Sequence, residues 1–227
     1  MVRCLFGTKV VLPSFAPPGR RPDSSTRWAA FITAKPLTGA ALIYLARMLF
    51  LIGCVAGLAA GLASGGRLRN LAELRFRWPW LVVAALLVKV AGTAWPLAFL
   101  PVTPYLYVVS LAALVAWAVW HAPRLPEMWL LAAGMALNLV VVVANDGHMP
   151  AYHASRPVIA YLQQGPVGQY VLGGPDTRLG FLGDWIGVPG PLGTLFPEGY
   201  SPGDLLAIVA ITVLVLMSTR REPEPAR

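Results

Sequence analysis

The sequence predicts an all-α membrane protein: a five-helix transmembrane bundle with a folded extracytoplasmic loop before its last helix. Three observations carry that expectation. Five apolar stretches, roughly 48–64, 79–97, 104–120, 128–144 and 204–218, each approach the ~20 residues a helix needs to cross the hydrocarbon core. Of 227 residues, 57% are hydrophobic and 12% charged, where a soluble domain carries about 25% charged residues. The stretch 145–203 is far longer than the usual ~4–6 residue connection, yet too aromatic for a solvated linker.

Residues 1–47 stand apart from the membrane domain, 48–218. Arg3, Lys9, Arg20, Arg21, Arg27, Lys35 and Arg47, against Asp23, place +6 of the net charge of +8 there. Pro13, Pro17, Pro18, Pro22 and Pro36 interrupt it without any sustained period, so it reads as a disordered tail. The alternative is a misassigned start, because a chain opening at Met48 would begin directly with an apolar run. Nucleic-acid binding is not supported, since the basic residues are not interleaved with a stacking platform. Cys4 and Cys54 lie in the tail and in the first span, which suits neither a disulfide nor a metal pair.

In the first span Gly53, Gly57, Gly61 and Gly65 recur every four residues, so a neighbouring backbone can approach closely along one face. Docking within the chain is the first reading, and a homodimer face the alternative. The segment after it is basic: Arg67, Arg69, Arg75 and Arg77 gather beside a span end, as residues facing the cytoplasm do. Arg69, Glu73 and Arg77 at four-residue spacing, with Leu68, Leu71 and Leu74, predict a short amphipathic stretch on anionic lipid. Counting onward, 98–103 is outside, Arg124 inside, 145–203 outside, and Arg220 and Arg221 inside with a cytoplasmic tail at 219–227. The amino end is therefore outside and the membrane is the plasma membrane. Trp78, Trp80, Tyr105, Tyr107, Trp117, Trp120 and Trp129 fall at span ends, as an aromatic belt would.

Lys89 sits about eleven residues into the second span, some 16 Å deep at ~1.5 Å per residue. A charge at that depth needs a partner or reaches for the interface. Asn138 is the other strongly polar residue at comparable depth, so the two define a polar track towards the outer loop, or else Asn138 bonds a neighbouring backbone. Thr103-Pro104 and Ser201-Pro202 each place a capping hydroxyl before a proline at the first helical position.

The outer loop holds the candidate site. Tyr161, Leu162, Tyr170, Phe181, Leu182, Trp185, Ile186, Phe196 and Tyr200 predict a lid folded over the helix ends, with a short helix starting at Ser155 and carrying Val158, Ile159 and Leu162. Asn145, Asp146, His148, Asp184 and Asp204 would converge if the lid closes. Such a set suits a divalent cation, or a general base and acid. Each residue also has a plainer role. Asp204, three after Ser201, fits a capping box. Asn145-Asp146-Gly147 fits a helix end with Gly147 left-handed, and Asp184 after Gly183 fits a turn. His148 and His153 stand five apart, which suits no zinc pair, so no metal and no cofactor is expected. No P-loop, nucleophile elbow or HExxH is present.

Met48–Gly66, the basic Leu68–Arg77 segment, Asn145-Asp-Gly-His-Met-Pro150, Phe181-Leu-Gly-Asp184 and Ser201-Pro-Gly-Asp204 together resemble a family of small bacterial membrane proteins catalogued as domain of unknown function 5317. The resemblance covers about residues 48–218. It implies membrane topology, a motif set and a start at the equivalent of Met48. It implies no activity. The typical first group carries Asn-Gly-Gly, where this chain has Asp146. The leading functional expectation is a structural or accessory membrane protein whose outer loop contacts lipid or a membrane-protein partner. The rivals are an outer-face enzyme acting on a lipid-linked or envelope substrate through Asp146, His148 and Asp184, and a small transporter with Lys89 and Asn138 on the path.

Overall fold

The computed structural model describes residues 39–92, 97–154, 156–190 and 198–221, without the side chains of 39–49 and 156–157. Most of the expectation for residues 1–47, the helix start at Ser155, Phe196 and most of the carboxyl tail thus lie outside the described residues.

Each of the five apolar stretches contains a helix. These are α1 (Gly39–Ala63), α3 (Trp80–Ala91), α4 (Thr103–His121), α5 (Glu127–Ala144) and α7 (Pro202–Arg220), with short α2 (Leu68–Ala72) and α6 (Arg156–Leu162) between them. Helix α4, α5 and α7 are long and apolar enough to cross a membrane; Phe50–Ala63 of α1 and Trp80–Ala91 are apolar but shorter. Their outward faces carry apolar side chains such as Leu87, Val109, Val143 and Val209, all at least half exposed, as a lipid-facing surface would. In space the bundle runs α1, α7, α5, α4, α3, each helix packed on the next.

The sequence placed α1 too late and α3 too long. Helical backbone begins at Gly39, inside the stretch read as a tail. Helix α3 ends at Ala91 with Gly92 as its C-cap, so its 12 residues rise only about 18 Å. Lys89 therefore stands in the last turn of a short helix rather than midway along a long one. The chain resumes as a 3₁₀ turn at Leu97–Phe99. Thr103 is the first residue of α4, not its cap, because its hydroxyl donates to the Leu97 carbonyl at 2.7 Å and so closes that turn.

On the helix ends away from the lid the basic segment is anchored by side chains. Only Arg69 and Glu73 pair, at 3.6 Å; Arg77 lies beyond α2, so the three-residue charged face does not form. The backbone around Arg77 is instead held by α4: its N–H donates to His121 Nε2 at 3.0 Å and its carbonyl accepts from Trp117 Nε1 at 2.8 Å. An N–H donor on Nε2 leaves the ring proton for Nδ1, which bonds the Trp117 carbonyl at 2.8 Å. Trp117 and His121 are buried with Met128 and Ala132, so Trp117 belongs to the core and not to the belt; Tyr107 likewise is buried. Trp78, Trp80, Trp120, Trp129 and Tyr105 are exposed as a belt requires. Arg221 closes this end with both Glu127 oxygens at 2.9 Å. His121→Leu leaves the Arg77 N–H without its acceptor, so a loss of about 1–3 kcal/mol is expected, with hydrogen exchange accelerated at Phe76–Trp78.

The loop before α7 is folded, and it is not all helix. Strand β1 (Met149–Ala151) pairs in parallel with β2 (Tyr170–Leu172), in the register Met149 to Tyr170, with α6 in the crossover between them. Asp184 bridges the other edge of β1 at Ala151, and Ile186 bridges Tyr200. The lid is seated on the helices at Gly168, whose N–H donates to the Ala98 carbonyl at 2.8 Å. With φ +60 and a Cβ that would run into the Gly92 carbonyl, this position requires glycine. Helix α5 ends as expected, at Asn145, with Asp146 at φ 55 and Gly147 at φ 86.

Candidate functional site

The lid covers a small, partly open space of about 30 Å³, lined by Phe50 from α1, Lys89 from α3, Tyr107 from α4, Asp204 from α7 and the lid residues Met149, Tyr170, Asp184, Glu198, Gly199 and Tyr200. That volume holds about two water molecules. One lysine and three carboxyl groups thus share one chamber at the lid end of the bundle.

Two of these charges are placed by helix ends. Lys89 occupies the last turn of α3, where the exposed carbonyls favour a cation. Asp204 occupies the first turn of α7 and completes the capping box: Ser201 Oγ accepts its N–H at 2.9 Å while the Ser201 N–H donates to Asp204 Oδ2 at 3.3 Å. Asn138 Nδ2 donates to the other Asp204 oxygen at 2.9 Å and Ser201 Oγ donates to Asn138 Oδ1 at 2.8 Å. Asn138 therefore reaches the chamber through Asp204, and its partners are side chains rather than a backbone.

Asp184 is different. It is 7% exposed, and its backbone is clamped from both sides: its N–H donates to the Pro150 carbonyl at 2.8 Å and its carbonyl accepts from Tyr152 at 3.0 Å. Among the described residues its side-chain Oδ1 is buried with no hydrogen-bond partner. It is thus a chamber residue held in a strand-like bridge, not the turn residue its neighbour Gly183 suggested. Among the described residues no carboxylate lies within ion-pair distance of Lys89.

Burial pushes the Asp184 carboxyl well above the usual carboxylate range, the nearby Asp204 charge adding to it and Lys89 opposing. Burial also raises Glu198, again against Lys89, and with Glu198 it pushes the Tyr200 phenol up to about 12. The native state then keeps protons on Asp184 and Glu198 that the unfolded chain has released above pH ~4. Stability accordingly falls as pH rises from there through the native values, since the native state binds more protons. Asp184→Asn is expected to flatten this slope, measured as melting temperature in detergent between pH 4 and 8.

The other members of the expected set do not enter the chamber. Asp146 is exposed on the left-handed turn, and His148 is half-buried outside the chamber lining. Asn145 pins the lid: its amide donates to the Arg178 carbonyl at 2.8 Å and its Oδ1 accepts the Arg178 N–H at 3.0 Å. Of the four glycines at four-residue spacing, Gly53, Gly57 and Gly61 of α1 face α7 at Ile208, Thr212 and Thr219, whereas Gly65 lies past the helix end at φ +88 with open space around it. Sequence reading missed Glu198, Tyr170, Tyr107 and Tyr200 as site residues; a carboxylate two residues before an apolar Tyr200 in a lid was the available signal for Glu198.

Helices of membrane-spanning length, joined at one end by a lid over a buried ionisable cluster, define the class to which this chain's architecture belongs. The chain belongs to a family of unknown function (DUF5317), whose family model matches residues 73–217. That stretch takes in Lys89, the whole lid and most of α7. No curated protein and no solved structure matches the chain.

Proposed function

We propose that this is a plasma-membrane protein with five spans, amino end outside and carboxyl end in the cytoplasm, whose working part is the lidded chamber, a site for a small ion or polar solute. The observation that carries the reading is the bare, buried Oδ1 of Asp184 in a chamber shared with Lys89. A buried carboxyl oxygen left without a partner is costly, and such groups concentrate at functional sites. The orientation is supported by Arg67, Arg69, Arg75, Arg77, Arg124, Arg220 and Arg221, which cluster at the end opposite the lid, as residues on the cytoplasmic side do. Asp146 and His148 lie outside the chamber lining, so the outer-face enzyme reading keeps only Asp184 of its three residues.

Melting temperatures of the purified protein across inorganic salts and small amines test the site. At least one compound is expected to stabilise the wild type by several degrees and Asp184→Asn by much less; no difference across the panel removes the reading. Orientation is tested separately in whole cells. A membrane-impermeant thiol reagent is expected to label Phe181→Cys and not Arg69→Cys, and the reverse pattern inverts the topology.

A second reading, contact of the lid with lipid or a membrane-protein partner, is favoured by Leu179, Phe181 and Trp185. These three stand exposed together on one turn of the lid, Phe181 at 66%, and aromatic residues of this kind favour the bilayer interface. Exchanging Phe181 and Trp185 for serine should release the partner, or loosen the lid from lipid, without altering the salt response.

A further inference from the structure

The chamber holds three carboxyl groups against one ammonium, and the surplus carboxyls identify what it takes. Lys89 and Asp204 each stand at the helix end that favours their sign, α3 at its carboxyl end and α7 at its amino end, so they offset one another across the space. The loop acids Asp184 and Glu198 have no such compensation. Neither forms an ion pair among the described residues, and Asp184 Oδ1 is buried without any partner. We infer that the chamber binds one small monovalent cation in exchange for a proton on Asp184 or Glu198, an inference that rests on the chamber being the working site.

Size and chemistry restrict the occupant. About 30 Å³ suits an ion with one or two waters and is small for an organic solute, whose pockets run to hundreds of cubic ångströms. Divalent ions are selected by cages of several carboxylates at close range. Among the described residues no three His, Cys, Asp or Glu side chains are grouped for that purpose, and the Lys89 ammonium in the same lining opposes a double charge. A single charge is another matter. The lining includes Tyr107, Tyr170, Tyr200 and Gly199, residues that carry neutral oxygens, beside the two loop acids, and membrane ion sites of low charge are built from neutral oxygens near interrupted helices. Exchange keeps the chamber's charge constant: one proton leaves a carboxyl to solvent as one cation enters. The groups facing Asp184 are Lys89 from α3, Asp204 from α7, and Glu198 within the lid, with Tyr107 of α4 and Tyr170 of β2 completing the wall.

The full chain in nanodiscs, weakly buffered near pH 7, is titrated with lithium, sodium or potassium chloride against choline chloride while released protons are followed with a pH dye. Release approaching one proton per protein with one of the small cations, none with choline, and at least a tenfold weaker response in Asp184→Asn is the expected result. Asp146→Asn, outside the chamber, should respond as wild type. Because Asp184→Asn replaces a carboxyl that holds its proton in the native state with a neutral group of the same shape, its melting temperature at pH 7 should not fall, and Glu198→Gln supplies a second variant in which the release is likewise reduced. Equal release in choline, or undiminished release in both variants, overturns the inference. A chamber-dependent thermal response to some salt or amine with no proton release would sink cation exchange alone, whereas loss of both responses takes the chamber reading with it.

Discussion

Gly134→Leu is expected to leave little folded protein, and Gly134→Ala to lower the melting temperature measurably, although residue 134 does not line the chamber. Helices α5 and α7 meet backbone to backbone at this point. A Cβ on Gly134 would stand 2.7 Å from the Gly203 carbonyl oxygen and 2.9 Å from the Ala207 nitrogen, closer than such atoms approach. Nothing there can rotate away, because both obstacles are main chain inside a regular helix. The helices must separate instead, which would loosen the packing at Ala207, itself fully buried. Overpacking of this kind costs about 1–3 kcal/mol for small additions and more for large ones; in a bundle held by close helix contact rather than by water exclusion it acts along the whole interface. Gly174→Ala, where a Cβ would meet nothing within 4 Å, is the matched control and should melt as wild type. Equal melting of Gly134→Ala and Gly174→Ala would show that α5 and α7 tolerate separation.

This contact shows where the sequence was readable and where it was not. The four-residue glycine spacing of α1 announced a close helix contact, and Gly53, Gly57 and Gly61 do meet α7. Gly134 and Gly203 carry no such spacing; each is a lone glycine on its own helix, and the contact exists only because two distant segments bring them together. The same difference separates the site residues. Asp204 was legible as a cap because its partner Ser201 is three residues away, and Gly147 as a left-handed helix end because the determinants are adjacent. Asp184 was legible as polar in an apolar lid, but its burial depends on the bridge to Ala151, set by a β1–α6–β2 crossover that no local pattern specifies. Asp146 misled for the converse reason: its neighbours suggested a site, while the left-handed turn turns it out to solvent. The early end of α3 was hidden by apolar residues that continue past Ala91, since hydropathy measures the segment's solvent and not its hydrogen bonding.

Asn138→Leu is expected to cost more than an ordinary interhelical hydrogen bond in a membrane, for which ~0.6 kcal/mol is typical. That average is small because a freed partner usually finds another. Here the partners are already committed. Ser201 Oγ accepts the Asp204 N–H and can donate only to Asn138 Oδ1, and Asp204 Oδ1 faces Asn138 Nδ2 while Oδ2 takes the Ser201 N–H. Asn138 is 3% exposed and Ser201 fully buried, so leucine leaves a buried hydroxyl donor and one carboxylate oxygen without their partner. A loss of about 2–4 kcal/mol follows, concentrated at the amino end of α7, and it should appear as faster hydrogen exchange at Gly203–Leu206 before the melting temperature moves. Asn138→Asp separates geometry from charge. It keeps the shape but sets a carboxylate opposite Asp204, so the two like charges destabilise the fold at neutral pH and one shared proton restores it on acidification. Recovery in acid for Asn138→Asp, with none for Asn138→Leu, would assign the stabilisation to this network. If both variants melted like wild type at neutral pH, Asn138 would have no part in fixing Asp204 at the chamber wall.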